Sequence, residues 1–348
     1  MTKLPKQELL KRVGTLAQVA GVRDLEFASG KAKGTRALEM YNLAGLRCTV
    51  LPDKCMDIAD LSYRGMNLSF SSKNGITANK FFNALDNEFL YNWSAGLLST
   101  CGLANTGPSC EDGGLYRTEH GRLSSLPAEN VSIRESWMGD DCRIELGGRM
   151  QESYISGSNL ALKREISLGI YDRSLVIEDT VENLEPSPEE FMLLYHINFG
   201  YPLINAGSEV LRSAAKTFPQ TEMTEAELGA WNKIGAPQDD CPEQVFYHVN
   251  KSASALARAA IFNRELGFGV SITYSADTLP ILVHWKSMRS HDYTVALEPS
   301  NTYIMGRKAE RENGTLPTLA GYGSARFRIE IGILEGDKEM DAFKKLLA

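Results

Sequence analysis

The chain has 348 residues, of which 43% are hydrophobic and 23% are charged, so it can bury a large core and does not resemble a disordered chain. Its 37 basic and 44 acidic residues give a net charge of −7, and its isoelectric point is near 5.5. An acidic surface repels polyanions, which argues against a general nucleic-acid binder or a binder of anionic membranes.

The first 22 residues alternate charged with apolar side chains at helical spacing and contain no continuous apolar stretch. We therefore expect no signal peptide, no membrane-spanning segment and a cytoplasmic protein. The six cysteines are sparse and form no C-x-x-C pair. This spacing indicates reduced thiols rather than a disulfide framework or a zinc ribbon.

Helical periodicity covers residues 6–19, and we expect residues 1–35 to form a helical extension. From residue 36 onward, stretches that are alternating or rich in β-branched residues dominate, which is typical of strands. They cover residues 36–42, 47–51, 131–137, 142–147, 159–168, 174–181, 191–199, 257–262, 269–274, 281–285, 293–297 and 325–334. Further helical patterns are confined to residues 79–97, 222–231 and 337–347.

Strands do not alternate with helices in this pattern, so a parallel α/β sheet is not expected. No linker rich in Gly, Ser or Pro divides the chain, and no internal repeat is visible. We predict one all-β domain over residues 1–348, a large antiparallel β-sandwich with peripheral helices. Its ends would be the helical extension at 1–35 and a C-terminal helix at 337–348. A curved sheet of this kind offers a concave face to a ligand.

Several strand-like segments place a titratable side chain opposite an apolar face. These segments carry His120 with Arg122, His196 with Asn198, His284 with Lys286, and Glu298. Histidine is the side chain best suited to proton transfer at neutral pH. Polar faces that simply meet water give the same pattern, and periodicity does not say which faces converge.

Three motifs follow one another along the chain: His120-Gly121-Arg122, then Tyr195-His196-Ile197-Asn198, then Glu298-Pro299 at the end of a late strand. Their order and spacing resemble the aldose 1-epimerase (galactose mutarotase-like) superfamily, over most of residues 43–334. The segments at 51–58 and 100–105 are most similar to an uncharacterised-type branch of that superfamily.

The resemblance implies an isomerase that interconverts sugar anomers by opening and reclosing the ring. Glu298 would be the base, His196 the acid, and His120 would hold the sugar by a hydrogen bond. The expected substrate-binding residues are Arg122, Asn198, Asp57, Lys286 and His284. Either Trp93 or Trp285 could stack on a sugar ring, although alternation places Trp285 opposite His284 and favours the core.

Acid–base chemistry of this kind needs no cofactor and no metal. The expected partner is a monosaccharide or sugar derivative, with no nucleic-acid or membrane partner, and the protein could form a homodimer. Three alternatives stay open: a carbohydrate-binding protein without turnover, a sugar isomerase or epimerase acting beside a carbonyl, and a metal site. The metal ligands would be His120, His196, His284, His291 and Glu298, although close H-x-H spacing is missing.

Overall fold

The computed structural model describes residues 3–85, 88–250 and 256–347. In these residues the strands β1 to β23 are, in chain order, Gly21–Glu26, Arg36–Tyr41, Leu46–Leu51, Asp57–Tyr63, Met66–Asn67, Leu98–Leu103, Cys110–Asp112, Leu115–Arg117, Glu129–Met138, Asp141–Ser153, Asn159–Gly169, Ser174–Asn183, Glu189–Glu190, Met192–Phe199, Glu209–Arg212, Ala214–Pro219, Gln244–Asn250, Leu256–Asn263, Phe268–Ser275, Ile281–Arg289, Asp292–Ser300, Thr318–Leu319 and Ser324–Glu335. The helices α1 to α5 are Lys6–Leu10, Glu88–Asn92, Glu225–Gly229, Arg307–Glu312 and Gly336–Lys345. No helix in this part of the chain has the length and hydropathy needed to cross a bilayer.

Two antiparallel sheets dominate the molecule. The large sheet has 11 strands in the order β1-β2-β3-β4-β6-β14-β21-β20-β17-β16, with β5 paired to β4. The small sheet has eight strands in the order β15-β18-β19-β23-β12-β11-β10-β9. One hydrophobic cluster joins residues of both sheets, such as Val50 and Leu297 of the large sheet and Leu162 and Ile177 of the small sheet. The predicted antiparallel β-sandwich is therefore confirmed.

The helical extension predicted for residues 1–35 is wrong over most of its length. Helix α1 covers five residues, 3₁₀ turns lie at Leu16–Gln18 and Gly30–Ala32, and Gly21–Glu26 is strand β1. Strand β1 is held to β2 along its whole length, but four of its six residues are exposed at the sheet edge. An edge strand with exposed side chains carries no apolar alternation, so the sequence pattern does not reveal it.

The other predicted helices are also shorter than their patterns. Within residues 79–97, helix α2 covers only Glu88–Asn92, and its apolar residues Leu90 and Tyr91 are 56% and 68% exposed. Their spacing therefore does not mark a face that packs on the core. Helix α3 likewise covers five residues of the predicted ten, while α5 agrees closely with the predicted C-terminal helix.

A buried guanidinium connects the two sheets. Arg164 of β11 pairs with Asp179 of β12 (Nη2 to Oδ2, 2.6 Å) and with Asp57 of β4 (Nη1 to Oδ1, 3.2 Å). The same Nη1 donates to Thr100 Oγ1 at 2.9 Å, and Tyr195 donates its hydroxyl proton to Asp179 at 2.8 Å. This Arg164 network joins two strands of the small sheet to three strands of the large one, so it fixes how the sheets face each other.

Replacing Arg164 by Met keeps a long side chain but leaves Asp57 and Asp179 buried without a counter-charge. We expect the free energy of unfolding to fall by about 3–5 kcal/mol, because an unpaired buried charge is costly. Urea denaturation of the whole protein measures this change.

The matched control is Arg134→Met, which removes an exposed partner of Glu165 from the small sheet. It should change stability by less than about 1 kcal/mol. Equal stability of the two variants would contradict an organising role for the Arg164 network.

Candidate acid–base site

Two neighbouring strands of the large sheet present His196 and Glu298 on the same face. Strand β14 pairs with β21 so that Leu194 faces Ser300 and Asn198 faces Ala296. The same register brings His196 opposite Glu298. Because side chains alternate along a strand, both residues point away from the small sheet, while Tyr195 points toward it.

The imidazole and the carboxyl group lie close together at the floor of a cleft. His196 Nε2 is 3.3 Å from Glu298 Oε1, and Glu298 is 1% exposed. Neither carboxyl oxygen, nor His196 Nδ1, has an aligned hydrogen-bond partner among the described residues. Buried polar atoms in native proteins are rarely left this way, and a catalytic role is one of the reasons for such exceptions.

A strained turn presents the second histidine. His120 has φ 54° and is followed by Gly121 with φ 76°. A Cβ atom on Gly121 would lie 2.2 Å from the carbonyl oxygen of Gly102, so only glycine fits there. The amide of Gly107 donates to His120 Nδ1 at 3.3 Å. The neutral ring therefore carries its proton on Nε2 and can donate from that atom.

Aromatic rings surround the two histidines. Trp93 lies 5.1 Å and Trp285 lies 5.7 Å from the His196 ring, measured between centroids. Phe89 lies 5.3 Å from the ring of His120, and the two histidine rings are 5.8 Å apart. The expectation that Trp285 belongs to the core is wrong, because β20 pairs with β21 in a register that puts Trp285 on the Glu298 side.

Burial governs the protonation of these groups. Desolvation raises the pKa of the Glu298 carboxyl well above its usual range, and the negative charge of Glu243 adds to this. Desolvation lowers the pKa of His196 to about 3, with a contribution from nearby His120, and lowers the pKa of His120 to about 4. At neutral pH both imidazoles are therefore uncharged, and Glu298 tends to keep a proton.

The cleft has a volume of about 760 Å³ including its open mouth, which is ample for one sugar ring. Its polar lining also includes Glu119, Glu243 and Gln220, which the sequence motifs do not identify. Glu243 accepts a hydrogen bond from the indole of Trp285 at 2.8 Å. These three residues come from irregular segments or strand ends, where no periodic pattern marks them.

Three of the expected substrate-binding residues do not line this cleft. Asp57 is 5% exposed and belongs to the Arg164 network, where burial raises its pKa to about 6. Asn198 is fully buried and donates to the carbonyl oxygens of Gly96 and His196. Arg122 is exposed, and its side chain lies over the ring of Phe82.

His284 and Lys286 lie on the opposite face of the large sheet from Glu298. The register pairs Val283 with Glu298, so the even-numbered residues of β20 point toward the small sheet. There His284 Nδ1 is 3.3 Å from His248 Nε2, and Lys286 donates to a backbone carbonyl oxygen. Their assignment as sugar contacts is therefore wrong, because alternation in one strand does not reveal which face holds the site.

The five histidines do not form the cluster that the metal alternative requires. His120 and His196 lie in the cleft, His248 and His284 lie between the sheets, and His291 lies in the turn between β20 and β21. Across residues 3–85, 88–250 and 256–347, no three His, Cys, Asp or Glu side chains are arranged to hold a metal ion.

Solved structures of similar fold cover nearly the whole chain. A protein described as a "putative aldose 1-epimerase" from Klebsiella pneumoniae subsp. pneumoniae MGH 78578 superposes with a TM-score of 0.89 at 21% identity, covering 99% of this chain and 90% of that one. A galactose mutarotase-like protein from Clostridium acetobutylicum gives 0.63 at 13% identity, covering 91% and 99%. Galactose 1-epimerase from Lactobacillus acidophilus NCFM gives 0.57 at 11% identity, also covering 91% and 99%. At these identities the likeness establishes the fold.

A comparison with curated protein sequences finds no match. Residues 32–333 match the family described as a domain of unknown function, DUF4432. This match covers the two sheets except for strand β1 and the last two residues of β23, and it includes every lining residue of the acid–base cleft. The chain therefore belongs to the DUF4432 family and has a galactose mutarotase-like fold.

Proposed function

We propose that the protein is an aldose 1-epimerase-like isomerase that interconverts the anomers of a sugar through Glu298 and His196. The observation that carries this proposal is the 3.3 Å approach of His196 Nε2 to Glu298 Oε1 at the floor of an open cleft. Ring opening needs one group to remove the proton of the anomeric hydroxyl and another to protonate the ring oxygen. A carboxyl group and an imidazole at this distance can do both.

The two groups share one proton. In the empty cleft it resides on Glu298, since burial disfavours both the carboxylate and the imidazolium. Transfer of this proton to His196 gives a carboxylate beside an imidazolium. Hydroxyl groups of a bound sugar stabilise that charged pair, because they donate hydrogen bonds to the carboxylate.

The carboxylate of Glu298 then removes the proton of the anomeric hydroxyl, and the imidazolium of His196 protonates the ring oxygen. The bond from C1 to the ring oxygen breaks and leaves an open-chain aldehyde. Rotation about the bond from C1 to C2 turns the other carbonyl face toward the ring oxygen. Reversal of both proton transfers closes the ring as the other anomer, and the pair ends with the same single proton.

His120 and the aromatic rings hold the sugar in this scheme. The Nε2 proton of His120 is free to bond a hydroxyl or the ring oxygen, because Nδ1 is already occupied by the Gly107 amide. The faces of Trp93 and Trp285 offer apolar surface to the C–H side of a sugar ring. A carbohydrate-binding protein without turnover would use the same contacts, so kinetics must separate the two functions.

Glu298→Gln keeps the shape of the side chain but removes the base. We expect the rate of anomeric exchange to fall by about 100-fold or more, while binding of the same sugar changes much less. His196→Asn should reduce the rate by a similar factor, since the ring oxygen loses its proton donor. Polarimetry or NMR saturation exchange on a panel of neutral, acidic and deoxy sugars measures the rate.

The control is Glu178→Gln, an exposed glutamate on the small sheet, which should leave the rate unchanged. Wild-type protein that accelerates exchange of no sugar on the panel would overturn the proposal. Equal rates for wild type and Glu298→Gln on every bound sugar would do so too, and would favour a binding protein. Formation of a C2 or C4 epimer in the NMR spectra would instead support a different isomerase.

The same Glu298→Gln change should make the protein more stable at neutral pH. The folded-state pKa of Glu298 is raised, so the folded protein holds a proton that the unfolded chain releases above about pH 4.3. This difference costs stability as the pH rises from that value toward the folded-state pKa. A neutral glutamine removes the cost, which we expect to be about 1–3 kcal/mol at pH 8.

Thermal or urea unfolding of both proteins at pH 4 and pH 8 measures this effect. The gain in stability should be present at pH 8 and should become small near pH 4, where the carboxyl is mostly protonated in both states. A loss of stability at pH 8 would mean that Glu298 serves the fold rather than the cleft.

A further inference from the structure

A second cleft lies behind the segment that carries His120. The side chains of Glu119 and His120 line the acid–base cleft, whereas Thr118, Gly121 and Arg122 line the second one. The second cleft has a volume of about 840 Å³ including its mouth, and the two clefts share no lining residue. It is therefore separate from the site proposed for the sugar.

Two arginines, Arg117 and Arg122, line this second cleft, and the guanidinium of Arg122 also lies over the ring of Phe82. Arg117 Nε is buried and has no hydrogen-bond partner within the described ranges. Neither Arg117 nor Arg122 has an acidic group within ion-pair distance in the part of the chain that the structure describes. By contrast, the buried guanidinium groups of Arg164 and Arg307 are each paired with an aspartate.

The charge of the cleft is positive. Glu152 is its one acidic lining residue among those described, and its carboxylate is already engaged by the backbone amide of Leu103 at 2.7 Å. Burial raises the pKa of Glu152, and the nearby positive charges of Arg122 and Arg117 oppose that rise. With Glu152 ionised the cleft carries one net positive charge, and with Glu152 protonated it carries two.

The remaining lining groups suit an organic ligand. Ser153, Ser158 and Tyr154 supply hydroxyl groups, and Leu115 together with the Tyr154 ring supplies partly exposed apolar surface at the mouth. Guanidinium groups bind carboxylate and phosphate oxygens by paired hydrogen bonds. A buried Nε without a partner is the donor that such an oxygen would satisfy.

We propose that the cleft between Arg117 and Arg122 is a binding site for a small oxyanion, a carboxylate or phosphate compound distinct from the sugar. The bound anion accepts hydrogen bonds from both guanidinium groups and neutralises the excess positive charge. Since Thr118 and Gly121 belong to the wall of this cleft, the anion also braces the turn on which His120 lies.

Isothermal titration calorimetry of the whole protein with inorganic phosphate and with succinate tests this proposal, with sodium chloride at equal ionic strength as the reference. We expect saturable binding of at least one of the two anions, and their relative affinities distinguish phosphate from carboxylate ligands. Arg117→Gln and Arg122→Gln should each raise the Kd by about 10-fold or more, because each removes a charge-assisted hydrogen bond.

Arg326→Gln is the matched control, since Arg326 is exposed on the small sheet and lines a different cleft. It should leave the Kd unchanged. Arg122 is also exposed, so Arg122→Gln keeps the test open if Arg117→Gln fails to fold, as circular dichroism would reveal. No binding beyond the chloride reference, or equal Kd values for wild type and both cleft variants, would overturn the proposal. The readout is binding rather than turnover, so it stands apart from the anomeric exchange assay.

Discussion

The placement of the acid–base pair depends on the Arg164 network, which joins the two sheets. One guanidinium pairs with the two carboxylates of Asp57 and Asp179, and burial raises the pKa of Asp57 to about 6 although Arg164 opposes that rise. Strand β14 connects this network to the cleft. Tyr195 bonds to Asp179 on one face, and the next residue, His196, meets Glu298 on the other. A shift of β14 that breaks the first contact also displaces the second.

Much of the fold could be predicted from the sequence because sandwich strands bury one face and so alternate with period two. Each of the twelve stretches that the sequence pattern predicts to be strands corresponds to a strand of the structure, and two of them extend one residue beyond it. Strand β1 was not predicted because its backbone hydrogen bonds to β2 impose no pattern on its side chains. The short helices were overestimated because apolar residues such as Leu90 and Tyr91 line the mouth of a cleft instead of packing inward.

Less of the candidate site than of the fold could be predicted from the sequence. The side chains of His120, His196 and Glu298 come together as the resemblance implied, although the roles given to them are proposals. The sequence of β20 alone does not show which of its faces meets the cleft. The prediction therefore placed His284 at the site and Trp285 in the core, whereas the structure has them the other way round. The role of Asp57 could not be predicted for a similar reason. The sequence does not distinguish an aspartate that binds a ligand from one that pairs with an arginine between two sheets.

The fluorescence of the two indole rings beside His196 can report on the state of the cleft. Of the four tryptophans in the chain, Trp93 and Trp285 lie within 6 Å of the His196 ring and of each other. The ring of Trp231 contacts His248 edge-on, and Trp137 lies at the end of an outer strand. Indole emission responds to nearby charge and to displaced water, so part of the intrinsic fluorescence originates where a ligand would enter. Occupancy of the cleft can therefore be followed without a dye or a labelled sugar.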